Sequence, residues 1–198
     1  NMVQIGKALN DKKLSPPIKH LFVWNSDIAN CTPDSSNVRE GLTRKDLFTV
    51  VHDTFWTDSC MYADVVLPAD TQLEHTDFHA PYGHYYFSLT QQAIKPLGES
   101  KSNQDLFREL AKHMGYEEKC FKESDESMIK NMIDPKHNPL FKGVTYEKLK
   151  KNGWVKGDVN NPRRNYLKTG WPTKDKKIQI YSEDTKNIGL GAYPTYTE

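Results

Sequence analysis

The residues best equipped for chemistry fall between positions 25 and 103. Asn25-Ser26-Asp27 and His52-Asp53 each end a short apolar run. Small polar groups in such places can hydrogen-bond a nucleotide base or ribose. A carboxylate such as Asp53 can accept two hydrogen bonds from the N1 and N2 edge of guanine, a geometrically selective pairing. The competing account is that Asn and Asp simply begin turns there. A second concentration, His75, Asp77, His79 and His84, has the ligand chemistry of a zinc or iron site. Its spacing matches no standard site, and Pro81 and Gly83 interrupt it, so a solvated or packed loop is the better reading. Cys31, Cys60 and Cys120 are odd in number and form no CxxC pair, which excludes a structural zinc site or a cubane cluster built from them. They read as three reduced thiols of a cytosolic or anaerobic protein. No phosphate loop of the GxxxxGK type, GxGxxG turn, GxSxG elbow or HExxH pair occurs.

These residues need a frame. Ile18–Trp24, after Pro16-Pro17, is a short β-rich run that reads as a buried strand. Leu47–Val51 reads as a second strand, and Asp64–Leu67, closed by Pro68, as a third. Asp34 or Ser35 caps a helix running to about Leu42, and Thr57–Ala63 forms a helical turn. Apolar strands separated by short helical pieces predict an α/β fold with a parallel sheet covered on both faces. In such sheets ligands bind just beyond the carboxyl ends of the strands. Gly83–Ile94 is aromatic and polar and suits an extended excursion more than a central strand. Asn103–Met114 is the clearest helix: Asn103 is its cap, Leu106, Phe107, Leu110, Ala111 and Met114 form one apolar stripe, and Gly115 stops it. Farther on, Ser124–Ile133 and Thr145–Lys151 read as short helices, Asp158–Lys177 as a loop, and Lys177–Ser182 as an alternating strand.

The chain has 198 residues, 36% of them hydrophobic, enough for one core with a small appendage. Its formal net charge is +1 with scattered Lys and Arg, which gives no support for a nucleic-acid partner. No apolar run has the length to cross a bilayer. Residues 1–9 lack the basic start, apolar core and cleavage site of a signal peptide.

Several stretches resemble the molybdopterin oxidoreductase family, which includes dimethyl-sulfoxide reductase, formate dehydrogenase and periplasmic nitrate reductase. Thr57–Glu74, TDSCMYADVVLPADTQLE, is similar to the family stretch in which a threonine-rich turn leads into an ADVVLP strand and then LE. Upstream, IKHLFVWNSDIANCTPD resembles the strand and turn that usually end in Asn-Pro, and LTRKDLFTVVHDTFWTD resembles the second strand with its polar end. Downstream, AIKPLGESKSNQDLFRELAKHMGY resembles the PxGExKxD motif and its helix. WPTKDKKIQIYSE resembles the segment before the final cofactor domain. The five matches fall in the expected order across nearly the whole chain.

The resemblance implies a fragment of a much longer catalytic subunit that binds molybdopterin guanine dinucleotide with molybdenum or tungsten. It also implies an iron–sulfur cluster elsewhere in that subunit. Residues 1–116 would form part of a doubly wound, Rossmann-like sheet with a loop excursion at about 75–94. Residues 117–198 would form a helical and irregular extension leading toward a further cofactor domain. Catalytic and metal-ligating residues would lie outside this chain, which is expected to be inactive by itself. By resemblance, Asn25, Asp27, His52, Asp53, Thr57, His75 and Asn103 are the cofactor-binding positions. Asp53 would recognise guanine, the others would orient ribose or phosphate, and Thr57 would add a hydroxyl. Asp27-Ile28 departs from the usual Asn-Pro, Asn103 from the commoner Asp, and Lys174-Asp175 from Ser-Gly. The partners implied are the remaining domains of the subunit, electron-transfer subunits and a small-molecule substrate. Some relatives use the same cofactor for hydration, so oxygen-atom or electron transfer is a family-level expectation. The alternatives are a non-catalytic α/β module for nucleotide binding or assembly, and an unrelated nucleotide-binding domain.

Overall fold

Three parallel strands carry the chain's first core. In the computed structural model, which describes residues 2–159 and 165–196, these are β1 (His20–Trp24), β2 (Phe48–Asp53) and β3 (Val65–Pro68), in the order β1-β2-β3. The register pairs His20 with Phe48, Trp24 with His52, and Asp53 with Pro68. Helices α1 (Ile5–Asn10), α2 (Ile28–Cys31) and α3 (Ser35–Leu42) precede or link the strands, and a 3-10 turn at Asp58–Tyr62 connects β2 to β3. Leu9, Val23, Val38, Leu42 and Val51 pack together with Ile28, Ala29 and Cys60. Strand side chains alternate faces, so Phe22 and Trp24 turn away from Val23 and meet Phe107 of α4 (Asn103–His113) at 5.5 and 5.4 Å between ring centroids. Helices thus cover both faces, as the apolar strands predict. Helices α1 and α3 approach closely enough that a Cβ on Gly41 would lie 2.5 Å from Leu9 Cβ.

The excursion differs from expectation. Instead of a loop, Tyr86–Thr90 (β5) is the middle strand of a second, antiparallel sheet, between Asp77–His79 (β4) and Trp154–Lys156 (β6). Phe87 and Leu89 point inward and pack with Ile129 of α5 (Asp125–Met132) and with Tyr146 and Leu149 of α6 (Tyr146–Asn152). Ser124 and Thr145 cap these two helices. Residues on both sides of position 116 therefore belong to one compact unit, Asn1–Asp158.

Among its described residues the second unit, Val159–Glu198, holds two short helices, α7 (Asn165–Thr169) and α8 (Glu183–Asn187). Tyr166 and Trp171 stack at 4.2 Å. Lys177–Ser182 does not form the expected strand: among the described residues it has no ladder partner, and Ile178 and Ile180 are exposed. Among the described residues no helix is long and apolar enough to cross a membrane.

Candidate nucleotide cleft

Beyond the carboxyl ends of the three parallel strands lies a cleft of about 660 Å³. Each strand end feeds it differently. After β1 the chain turns at Asn25, whose φ of 50° is in the left-handed region that Asn tolerates well. The Asn25 N–H donates to His52 O at 3.3 Å, which ties the turn to β2. Two residues on, Asp27 Oδ1 accepts from both the backbone N–H (3.0 Å) and the hydroxyl (2.6 Å) of Ser59. Asp27 therefore binds the turn after β1 to the 3-10 turn after β2. Ile28, next in the chain, is buried in the first core.

At the end of β2, Asp53 Oδ1 accepts from the Phe55 N–H at 3.2 Å, an Asx turn. Its Oδ2 accepts no hydrogen bond from the described residues and remains available for a ligand. His52 behaves differently. Its side chain is fully buried and does not line the cleft. Nδ1 lies 3.2 Å from Leu67 O, so it carries the hydrogen and donates, and Nε2 has no partner among the described residues. Burial lowers the imidazole's proton affinity against the opposing pull of the Leu67 carbonyl and of Asp70 and Asp53. The side chain of His52 thus supports the cleft from behind and does not orient ribose or phosphate in it.

The third strand end contributes Asp70, a residue outside the set expected from the sequence. The signal that could have found Asp70 is the polar residue following each strand, here hidden behind the break at Pro68. Its side chain is only 3% exposed, and Oδ1 lies 2.9 Å from His75 Nδ1. The imidazole is not aligned for a well-formed hydrogen bond. Asp70 also takes part in the sheet: its N–H donates to Lys101 O, and Lys101 N–H donates to Pro68 O. Lys101 thereby adds an isolated parallel bridge beside β3 just before α4 begins. The cap of α4 is Ser102, not Asn103: Ser102 Oγ accepts from the Asp105 N–H at 3.1 Å. Asn103 is left to face the cleft, and its Oδ1 is buried without a hydrogen-bond partner among the described residues.

Asn25, Asp27, Asp53, Thr57, His75 and Asn103 all line this one cleft, joined by Ser26, Thr54, Phe55, Asp70, Asp77 and Gln104. The imidazoles near residue 80 do not converge on a metal. His75 faces Asp70, His79 Nε2 pairs with Thr90 Oγ1 at 2.8 Å, and His84 packs on Tyr86. Among the described residues no three His, Cys, Asp or Glu side chains are placed to hold a metal ion.

Residues 3–113 match the family model described as molybdopterin oxidoreductase. The chain is 42% identical over 197 residues to the probable oxidoreductase YoaE of Bacillus subtilis, covering 100% of this chain and 28% of that protein. It is 28% identical over 186 residues to acetylene hydratase of Syntrophotalea acetylenica, covering 92% of this chain and 24% of that one. A solved structure of acetylene hydratase from Pelobacter acetylenicus matches it with a TM-score of 0.75 at 26% identity, over 100% of this chain and 26% of that chain. The chain thus spans about a quarter of the length of these relatives.

Proposed function

The chain belongs to the molybdopterin oxidoreductase family, and we propose that it supplies one wall of the pocket holding the guanosine end of a molybdopterin guanine dinucleotide within a larger catalytic subunit. The observation that carries this reading is convergence. Six side chains nominated from separate stretches between positions 25 and 103 meet in one cleft, at the strand ends where α/β sheets bind ligands. The donor set fits the group. Asp53 Oδ2 is a free acceptor for the guanine N1–H and N2–H edge. Asn103 Oδ1 is a buried acceptor lacking a donor, a condition that costs free energy until a ligand hydroxyl or N–H satisfies it. Asn25 and Thr57 stand at the mouth for ribose hydroxyls, and His75, backed by Asp70, is the basic side chain of the lining.

When bound, the pterin-held molybdenum or tungsten supplies the oxygen-atom or electron transfer. The residues of this chain bind and orient the nucleotide tail that anchors it. An iron–sulfur cluster, the ligand of the metal and the substrate funnel belong to the remaining domains, with electron-transfer subunits as further partners.

The test is anaerobic purification of the full-length gene product, with its mass, its molybdenum and tungsten content, and the nucleotide released by acid. A protein several times longer than this chain that carries either metal and releases GMP is the expected result. A metal-free product without guanine nucleotide would leave a non-catalytic α/β module as the account of the chain.

A further inference from the structure

Glu74 is a buried carboxylate that bonds to both arms of the excursion where they leave the cleft. It is 4% exposed and makes no contact with the cleft itself. Oε2 accepts from the Thr71 N–H at 2.7 Å and Oε1 from the Leu97 N–H at 2.6 Å. Around it the two arms are joined further: the Ala93 and Ile94 N–H groups both donate to Leu73 O, and the side-chain Gln92 Nε2 donates to Glu74 O at 2.9 Å. One arm carries Asp70, Thr71, Gln72 and His75 into the cleft. The other leads through Lys101 to Ser102 and Asn103. Both bonds to Glu74 require an acceptor, which only the carboxylate supplies at both oxygens. Those same N–H groups hold its proton affinity below that of an ordinary glutamate.

We propose that Glu74 is a positioning residue for nucleotide binding: its carboxylate clasps Thr71 to Leu97 and so sets the distance between the Asp70–His75 turn and the start of α4 across the cleft. This rests on the cleft's being the nucleotide site. A structural carboxylate that merely stabilised the fold would affect nucleotide retention only in proportion to stability. A clasp acts on the cleft first, because the two walls it joins each carry ligand-facing groups.

The full-length protein with Glu74→Gln tests this against Leu149→Ala, which opens a void in the second core and takes no part in the Glu74 hydrogen bonds. Gln keeps one acceptor and turns an NH2 group toward the other backbone N–H. Guanine nucleotide released by acid after gel filtration, and the melting temperature, are measured on wild type and both variants. Glu74→Gln should reduce retained nucleotide by about tenfold, the lower end of what losing a support behind a ligand contact costs. Leu149→Ala should retain near wild-type nucleotide despite an equal or larger drop in melting temperature. Wild-type retention in Glu74→Gln, or equal loss in the two variants at matched stability, overturns the clasp while leaving the nucleotide site standing. A wild-type protein that releases no guanine nucleotide overturns the site and the clasp with it.

Discussion

Replacing Asp53 with Asn isolates guanine recognition from the scaffold. Oδ1 is already committed to the Phe55 N–H, a bond that the Asn amide oxygen can keep. The change therefore falls on the second oxygen, which becomes an NH2 donor facing the N1–H and N2–H donors of guanine. What is lost is a charge-assisted hydrogen bond worth about 1.5–3 kcal/mol, with a donor now set against a donor. Since each 1.4 kcal/mol is a factor of ten, the variant should bind GMP roughly 10- to 150-fold more weakly. Asp53 is half-buried, so solvent screening favours the lower half of that range. The assay is calorimetric titration of the cofactor-depleted full-length protein with GMP and with IMP, which lacks the 2-amino group. Wild type should prefer GMP, and Asp53→Asn should bind both nucleotides weakly and alike. GMP affinity in the variant within twofold of wild type, or a wild type that does not distinguish GMP from IMP, would refute the assignment of Asp53.

Two further outcomes follow from the packing. Gly41→Ala should gain about 0.8–1 kcal/mol of helix propensity in α3 but lose about 1–3 kcal/mol to overpacking, because its Cβ would sit 2.5 Å from the Cβ of fully buried Leu9; a net loss of about 1 kcal/mol in urea denaturation is expected, and a stabilised variant would contradict the close approach of α1 and α3. His52 should make stability fall as pH drops below about 6.5, since the unfolded chain takes up a proton there that the buried imidazole refuses until a lower pH; melting temperatures from pH 7.5 down to 5.5 should fall more steeply in wild type than in His52→Gln, and equal slopes would sink this account.

How far the sequence foretold the structure depended on how local the deciding interaction is. Strands β1, β2 and β3 were legible because each is a nearly unbroken apolar run, the pattern of a parallel sheet, and β2 between its two neighbours is buried along most of its length. Strand β5 carries the alternation Phe87, Ser88, Leu89, but its place at the centre of a sheet depends on Trp154–Lys156, more than sixty positions later, and on α5 and α6. Lys177–Ser182 shows the reverse: it has the alternation and lacks a partner among the described residues. The cleft was legible in its strand-end residues for the same physical reason, that turns at carboxyl ends collect small polar groups. The errors there were ones of direction. Neighbours on a strand face opposite ways, so reading His52-Asp53 as one contact pair assigned a buried imidazole to the ligand. Ser102 and Asn103 are both good caps, and the choice turns on which oxygen meets the Asp105 N–H. The Ser102-x-x-Asp105 spacing resembles a capping box and was the available signal.

The charge of the cleft decides which end of a dinucleotide it can hold. Asp27, Asp53, Asp70 and Asp77 line it, and His75 is the one basic side chain among its described lining residues. A phosphate placed 4 Å from one of these carboxylates meets a repulsion of roughly 1 kcal/mol in water and up to about 4 kcal/mol at a protein surface. Guanine and ribose instead present donors, which carboxylates accept. Under the proposed function the nucleoside would therefore sit among the strand ends. The first phosphate would find its best place at the amino end of α4 beside Asn103 and Gln104, where the N–H groups of a first helical turn favour an anion. The rest of the diphosphate needs cations that this wall does not carry. Under the proposed function those come from the other three quarters of the subunit, closing over the nucleotide from the opposite side. A site divided in this way binds weakly by halves and tightly only when assembled, because the ordering cost of the second half is met by a wall already in place.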